Sequence, residues 1–259
     1  MSSPVQTPSL REESARPETR NDLPATSPSK PAGLFAQTAA ILGKDLLLEW
    51  RGRSRIIAVL MFGVVTLMLF SFAVGPEGTT LRLAAGGFLV LALLLSSTLA
   101  LSESFRVEQA QRSLEGLLLL PVDPVALYYG KALGNALFLT LLGPILTPVA
   151  VVLYSLQLSG EALLALWFLW ALAAFGLSAP GTLYAAMTSR LESQDVLLPL
   201  LLFPLVIPVL LSSVKAASLI VNGDPMSQLP SWSVLLLSFN IIYWVLCGIL
   251  FPYVYEEGV

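Results

Sequence analysis

The side chains best suited to binding chemistry lie in one polar passage between two apolar runs, from about residue 103 to 131. At 100° per residue, one narrow helical face collects apolar side chains: Val107, Ala110, Leu114, Leu117 and Leu118. Arg112 and Glu115 lie outside that face, and Pro121 ends the helix because proline has no N–H to donate. The pattern predicts an amphipathic helix over about residues 103–121, which rests on membrane lipid or docks on a soluble partner.

Other kinds of chemistry are poorly represented in this sequence. It has no histidine and one cysteine, Cys247, so it lacks the commonest metal and haem ligand, the usual general base and any disulfide pair. The patterns GxxxxGK[ST], GxSxG and HExxH do not occur. We therefore expect no catalytic residues, no metal site and no directly bound cofactor, and nucleotide hydrolysis would belong to a partner chain.

The composition indicates a helical membrane protein. Of the 259 residues, 56% are hydrophobic and 12% are charged, whereas an ordinary soluble domain has about 25% charged residues. Six apolar runs are long enough to cross a hydrocarbon core about 30 Å thick. They lie at about residues 56–74, 83–101, 132–156, 162–187, 196–214 and 232–253. The sequence thus predicts an all-α membrane protein with six transmembrane helices.

The domain organisation follows from these runs. Residues 1–33 are rich in Ser, Thr, Pro, Glu and Arg and have no apolar core to bury, which predicts a disordered tail. Residues 34–55 predict an interfacial helix, because Trp50 and cations such as Arg55 suit the membrane surface. Residues 56–255 then form the six-span transmembrane domain.

The distribution of positive charge predicts the topology. Six spans place both termini on one side, and the loops of that side hold eight cations: Lys44, Arg51, Arg53, Arg55, Arg106, Arg112, Lys131 and Arg190. The loops of the other side hold two, Arg82 and Lys215. By the positive-inside rule, both termini and the passage from 103 to 131 are cytoplasmic. Cations beside a membrane are explained by lipid headgroups, so nucleic acid is not an expected partner.

Prolines within the spans leave two interpretations open. Pro180-Gly181 interrupt span four, and Pro199, Pro204 and Pro208 interrupt span five. Each proline frees a carbonyl one turn back and bends its helix. These positions are either bends and close contacts that let the helices pack, or hinges of a bundle that opens and closes.

Short motifs in a fixed order resemble the haem exporter protein B family, the membrane subunits of cytochrome c maturation transporters. They are Gly75-Pro76-Glu77, the run SLEGLLLLP at 113–121, Gly130-Lys131, Ala179-Pro180-Gly181, and the proline-containing run at 197–208. The resemblance covers about residues 38–255. The Leu-Glu-x-Leu-Leu-x-x-Pro core is also similar to ABC-2-type permeases in general.

The resemblance implies a role in a complex of the bacterial inner membrane. The helix between spans two and three would couple to an ATP-binding subunit through Arg112, Leu114, Glu115, Leu117 and Leu118. A haem-handling membrane subunit, a small single-span subunit and a haem chaperone would be further partners. ATP would be bound by the partner subunit and haem handled by the complex, which releases the holo chaperone for cytochrome c assembly.

Two other functions remain open from the sequence. The first is that of an ABC-2-type exporter of a lipid, glycan or drug. The second is that of a membrane scaffold that transports nothing. An exporter of another substrate predicts normal c-type cytochromes after deletion. A scaffold predicts that mutations in the 103–121 helix leave the partner's ATP hydrolysis unchanged.

Overall fold

The computed structural model describes residues 33–75, 78–110, 123–189 and 194–257, and within them it contains seven α-helices and no strand. In chain order these are α1 (Leu34–Arg51), α2 (Arg53–Val74), α3 (Gly78–Ala110), α4 (Pro124–Leu153), α5 (Gly160–Thr188), α6 (Gln194–Asn222) and α7 (Leu229–Glu257). Helices α2 to α7 each contain a stretch long and apolar enough to span a bilayer. The predicted all-α fold with six transmembrane helices is confirmed.

The first helix ends earlier than the sequence predicts. Helix α1 stops at Arg51, and Gly52 leaves helical geometry with a φ of −80° and a ψ of 49°. The N–H of Gly52 donates to the carbonyls of Leu48 and Glu49, which closes the helix. The residues after Gly52 therefore begin α2 instead of completing one helix over 34–55.

The third helix is longer than the predicted span. Helix α3 continues from Gly78 through Ala110, so the first residues of the predicted amphipathic helix extend the second span without a break. No glycine or proline occurs between residues 88 and 115 to end it. The predicted coupling side chains lie outside the described residues: Arg112, Leu114, Glu115, Leu117 and Leu118.

The fourth helix begins well before the apolar run that identified it. Asp123 caps α4, because its carboxylate accepts a hydrogen bond of 2.8 Å from the N–H of Val125, and Pro124 occupies the first turn. The predicted span begins after Lys131 because a charged residue interrupts the hydropathy pattern, whereas the helix continues through Lys131 from Pro124. The start of α4 thus lies directly after the predicted coupling segment.

Small residues let the helices approach closely inside the bundle. Helix α3 packs against α2, α4, α5 and α6, and α5 packs against α3, α4, α6 and α7. At Gly86 of α3 the backbone of α6 at Ala217 and Ser218 lies within contact distance. At Gly181 of α5 the side chain of Leu101 fills the space that a larger residue would need. Such contacts are typical of membrane helices, which associate largely through packing.

The prolines predicted as bends or hinges all lie inside continuous helices. Pro180 and Gly181 are buried in α5, Pro199 and Pro208 are partly buried in α6, and Pro204 is exposed. Transmembrane helices tolerate interior prolines because neighbouring groups take up the freed carbonyls. The burial of Pro180 and Gly181 fits a packing role, and a hinge role for any of the five stays a prediction.

Candidate functional site

The predicted coupling segment lies between α3 and α4, so the residues that hold these two helices together define the candidate site. Four described helices meet there: α1, the start of α2, the second half of α3 and the first turns of α4. Their contacts combine a close apolar packing, two ion pairs and several hydrogen bonds between side chain and backbone.

One face of α1 lies along the first four turns of α4. It consists of residues four apart: Gln37, Ile41, Asp45 and Glu49. The Oε1 atom of Gln37 accepts a 3.1 Å hydrogen bond from the N–H of Asp123. Ile41 packs so closely on Gly130 that a methyl group there would lie 2.7 Å from its Cγ2 atom. The contacted residue numbers rise together in both helices, so α1 and α4 run in the same direction.

The first ion pair joins α1 to α4. The Nζ atom of Lys131 lies 3.6 Å from the Oδ2 atom of Asp45, and the lysine is only 3% exposed. The Nζ atom of Lys44, which is well exposed, lies 3.3 Å from the other carboxylate oxygen. A buried ammonium needs a partner of opposite charge, so the interaction with Asp45 fixes the position of α1 on α4.

The second ion pair joins α1 to α2, α3 and α4. The Nη1 atom of Arg55 lies 2.8 Å from the Oε2 atom of Glu49, and its Nη2 atom donates a 2.6 Å hydrogen bond to the carbonyl of Ala100. The guanidinium also lies 5.8 Å from the ring centre of Phe138, within cation–π distance. Arg55 thus bridges a carboxylate on α1, a backbone carbonyl on α3 and an aromatic ring on α4.

Burial dominates the electrostatics of Glu49. Removal of the carboxylate from water raises its pKa, and the neighbouring charge of Asp45 raises it further, whereas Arg55 and Lys131 lower it. The Oε1 atom of Glu49 and the Nε atom of Arg55 have no hydrogen-bond partner among the described residues. The negative charge on Glu49 therefore depends on its two cationic neighbours.

A row of polar contacts joins the start of α4 to the second half of α5. The hydroxyl of Tyr128 donates to the carbonyl of Ala179 over 3.2 Å, and Ser178 donates to the carbonyl of Ala132 over 2.5 Å. The amide of Asn135 donates to Thr182 over 3.0 Å. The Ala179-Pro180-Gly181 motif and its neighbours are thereby hydrogen-bonded to residues of α4 that lie on either side of Lys131 in the sequence.

The two ion pairs are not indicated by the charge and hydropathy patterns of the sequence. Those patterns place Arg55 at the membrane interface and Lys131 among the loop cations, whereas both side chains turn inward and pair with α1. The sequence feature that could have indicated them is the four-residue spacing that places both carboxylates on one face of α1: Gln37, Ile41, Asp45 and Glu49. Within the described part of the chain, no group of three His, Cys, Asp or Glu side chains could hold a metal ion.

The chain is similar in sequence to a family of known membrane proteins. A family model described as CcmB protein matches residues 36–253. The chain is 34% identical to heme exporter protein B of Rhodobacter capsulatus over 172 residues, which is 66% of this chain and 78% of the relative. It is 31% identical to the Pseudomonas aeruginosa protein of the same name over 192 residues, 74% and 85% of the two chains. The corresponding protein of Paracoccus denitrificans is 33% identical over 196 residues, 73% and 87%.

Proposed function

Because this chain belongs to the CcmB protein family, we propose that it is the permease subunit of an ATP-driven haem-delivery complex for cytochrome c biogenesis. The observation that carries the proposal is the family match across residues 36–253, which covers five of the six membrane-spanning stretches in full and the sixth to within one residue of its end. Several relatives carry the name heme exporter protein B. The chain is accordingly a multi-pass protein of the bacterial inner membrane.

In this proposal a partner subunit hydrolyses ATP and this chain transmits the resulting movement. The sequence contains no P-loop, so the nucleotide would be bound elsewhere in the complex. The segment between α3 and α4 would dock on the ATPase through Arg112, Leu114, Glu115, Leu117 and Leu118. The ion pairs of Asp45 and Glu49 support this assignment because they hold the two adjoining helices in a fixed relation.

The proposed complex includes three further partners: a haem-handling membrane subunit, a small single-span subunit and the haem chaperone. The sequence contains no histidine, so axial ligands for haem iron would come from another chain. The work of this subunit would be mechanical: ATP hydrolysis in the partner drives release of the holo chaperone.

Deletion of the gene tests the proposed function. We expect loss of all c-type cytochromes while b-type haem proteins remain at normal levels, because only covalent attachment depends on the chaperone. Haem staining of membrane proteins and difference spectra measure both pools, and expression of the wild-type chain from a plasmid should restore the c-type proteins. Normal c-type cytochromes in the deletion strain would favour export of another substrate.

Placement of both termini in the cytoplasm can be tested by labelling. In a Cys247→Ser background, single cysteines at Ser113 and Ser227 should react with an impermeant thiol reagent from opposite sides of the membrane. The reason is the charge asymmetry of the loops, which assigns the segment before α4 to the cytoplasm and the exposed loop before α7 to the periplasm. Labelling of both positions in intact cells would contradict this topology.

A further inference from the structure

Helix α1 contributes no membrane span, yet its inward face packs directly on α4, the helix after residues 111–122, and reaches α3, the helix before them, through Arg55 of α2. Gln37 accepts a hydrogen bond from Asp123, the first described residue after that segment. Glu49 reaches α3 through Arg55, whose guanidinium donates to the carbonyl of Ala100. Helix α1, together with Arg55 of α2, therefore connects the helix before the segment with the helix after it.

The charged contacts give this connection a fixed register. Ile41 packs closely on Gly130, and Lys131, which is 3% exposed, adds the requirement for a carboxylate at one position. Asp45 meets this requirement, and Glu49, one turn later, pairs with Arg55. Two carboxylates one turn apart thus determine the position of α1 relative to α2, α3 and α4.

We propose that Asp45, Glu49, Arg55 and Lys131 are positioning residues that make α1 a strap between α3 and α4. Movement of an ATPase attached to the intervening segment would then reach both helices together, because the strap prevents one from moving without the other. This inference rests on the proposed function and extends it to residues outside the docking segment.

Membrane anchoring is the competing explanation of α1. Its outward face carries exposed apolar side chains, including Phe35 at 94% and Leu47 at 65% exposure, and these suit a lipid surface. If α1 served only as an anchor, these two residues would matter and the inward ion pairs would tolerate reversal of charge. A strap requires the inward ion pairs, so exchange of the charges of Asp45 and Lys131 distinguishes the two roles.

The test uses four variants expressed in the deletion strain with the whole complex present. Asp45→Lys sets a second ammonium beside Lys131, and Lys131→Glu sets a second carboxylate beside Asp45, so each single variant creates a buried like-charge pair. The double variant Asp45→Lys/Lys131→Glu restores opposite charges. Lys44→Glu is the matched control, since Lys44 approaches the same carboxylate from an exposed position.

We expect each single variant to lower c-type cytochrome content at least tenfold while the membranes retain the chain and its bound ATPase within about twofold of wild type. The double variant should recover at least a third of the wild-type content, and Lys44→Glu should stay within twofold. Wild-type cytochromes in both single variants, or a double variant no better than either, would overturn the strap. So would a cytochrome loss that follows a matching loss of the chain, since the pair would then serve folding alone.

The same variants distinguish failure of the strap from failure of the proposed function. If deletion of the chain leaves c-type cytochromes intact, the haem function is wrong, and ATP hydrolysis by the purified complex becomes the readout. A strap in any ATP-driven permease predicts that the single variants change the hydrolysis rate and that the double variant restores it. Unchanged hydrolysis in all four variants of an active complex would then overturn the strap.

Discussion

Replacement of Gly86 by leucine is expected to lower the folding equilibrium constant of the chain about tenfold or more, and with it the melting temperature in detergent. A methyl group at this position would already lie 2.5 Å from the backbone nitrogen of Ser218 and 2.8 Å from the carbonyl carbon of Ala217. Backbone atoms cannot rotate aside, so α3 and α6 would have to separate. Overpacking of this kind costs about 1–3 kcal/mol and occasionally more, and each 1.4 kcal/mol is about a factor of ten in an equilibrium.

The neighbouring residue provides a matched control for this prediction. Gly87 lies in the same turn, but its nearest foreign atom would be the Cγ1 of Val214 at 3.7 Å, an ordinary contact distance. Gly87→Leu makes the same chemical change and should leave the melting temperature in detergent and the membrane content close to wild type. Equal behaviour of the two variants would show that α3 and α6 are not in close contact at Gly86.

The sequence predicted the architecture well because membrane spans are a local property. Each span is a continuous apolar run, and its identification requires no knowledge of any other part of the chain. The ends of the helices were predicted less accurately, because a helix continues into polar residues where no glycine or proline stops it. The extension of α3 to Ala110 is of this kind, whereas α4 begins at Pro124 because Asp123 caps it there, well before the apolar run.

The candidate site was only partly predictable because its central contacts join distant parts of the chain. Lys131 and Arg55 are cations near membrane boundaries, and the positive-inside rule accounts for them without any partner. Only the packing of α1 on α4 shows that Asp45 pairs with Lys131. Conversely, the docking residues around Leu114 come from the amphipathic pattern and the family resemblance, since they lie outside the described residues.

Charge reversal beside the apolar face of the predicted coupling helix should detach the ATPase. We expect Glu115→Lys to lower the amount of ATPase that co-purifies with the chain tenfold or more. Disruption of a desolvated charge pair in a docked interface costs about 2–5 kcal/mol, and 1.4 kcal/mol corresponds to about a tenfold change in affinity. Leu114→Asp should have a larger effect, because it places a carboxylate on the apolar face that anchors the helix.

A helix that docks on a protein and a helix that rests on lipid differ in which of their residues tolerate substitution. A helix on lipid requires its apolar face but tolerates substitution at Arg112 and Glu115, whereas a helix in a protein groove requires both. The measurements are co-purification of the ATPase and c-type cytochrome content, with equal membrane levels of each variant as the control. Wild-type values for both Glu115→Lys and Leu114→Asp would remove the main reason to regard the chain as the coupled subunit of an ATP-driven permease. Loss with Leu114→Asp alone would assign the helix to the lipid surface.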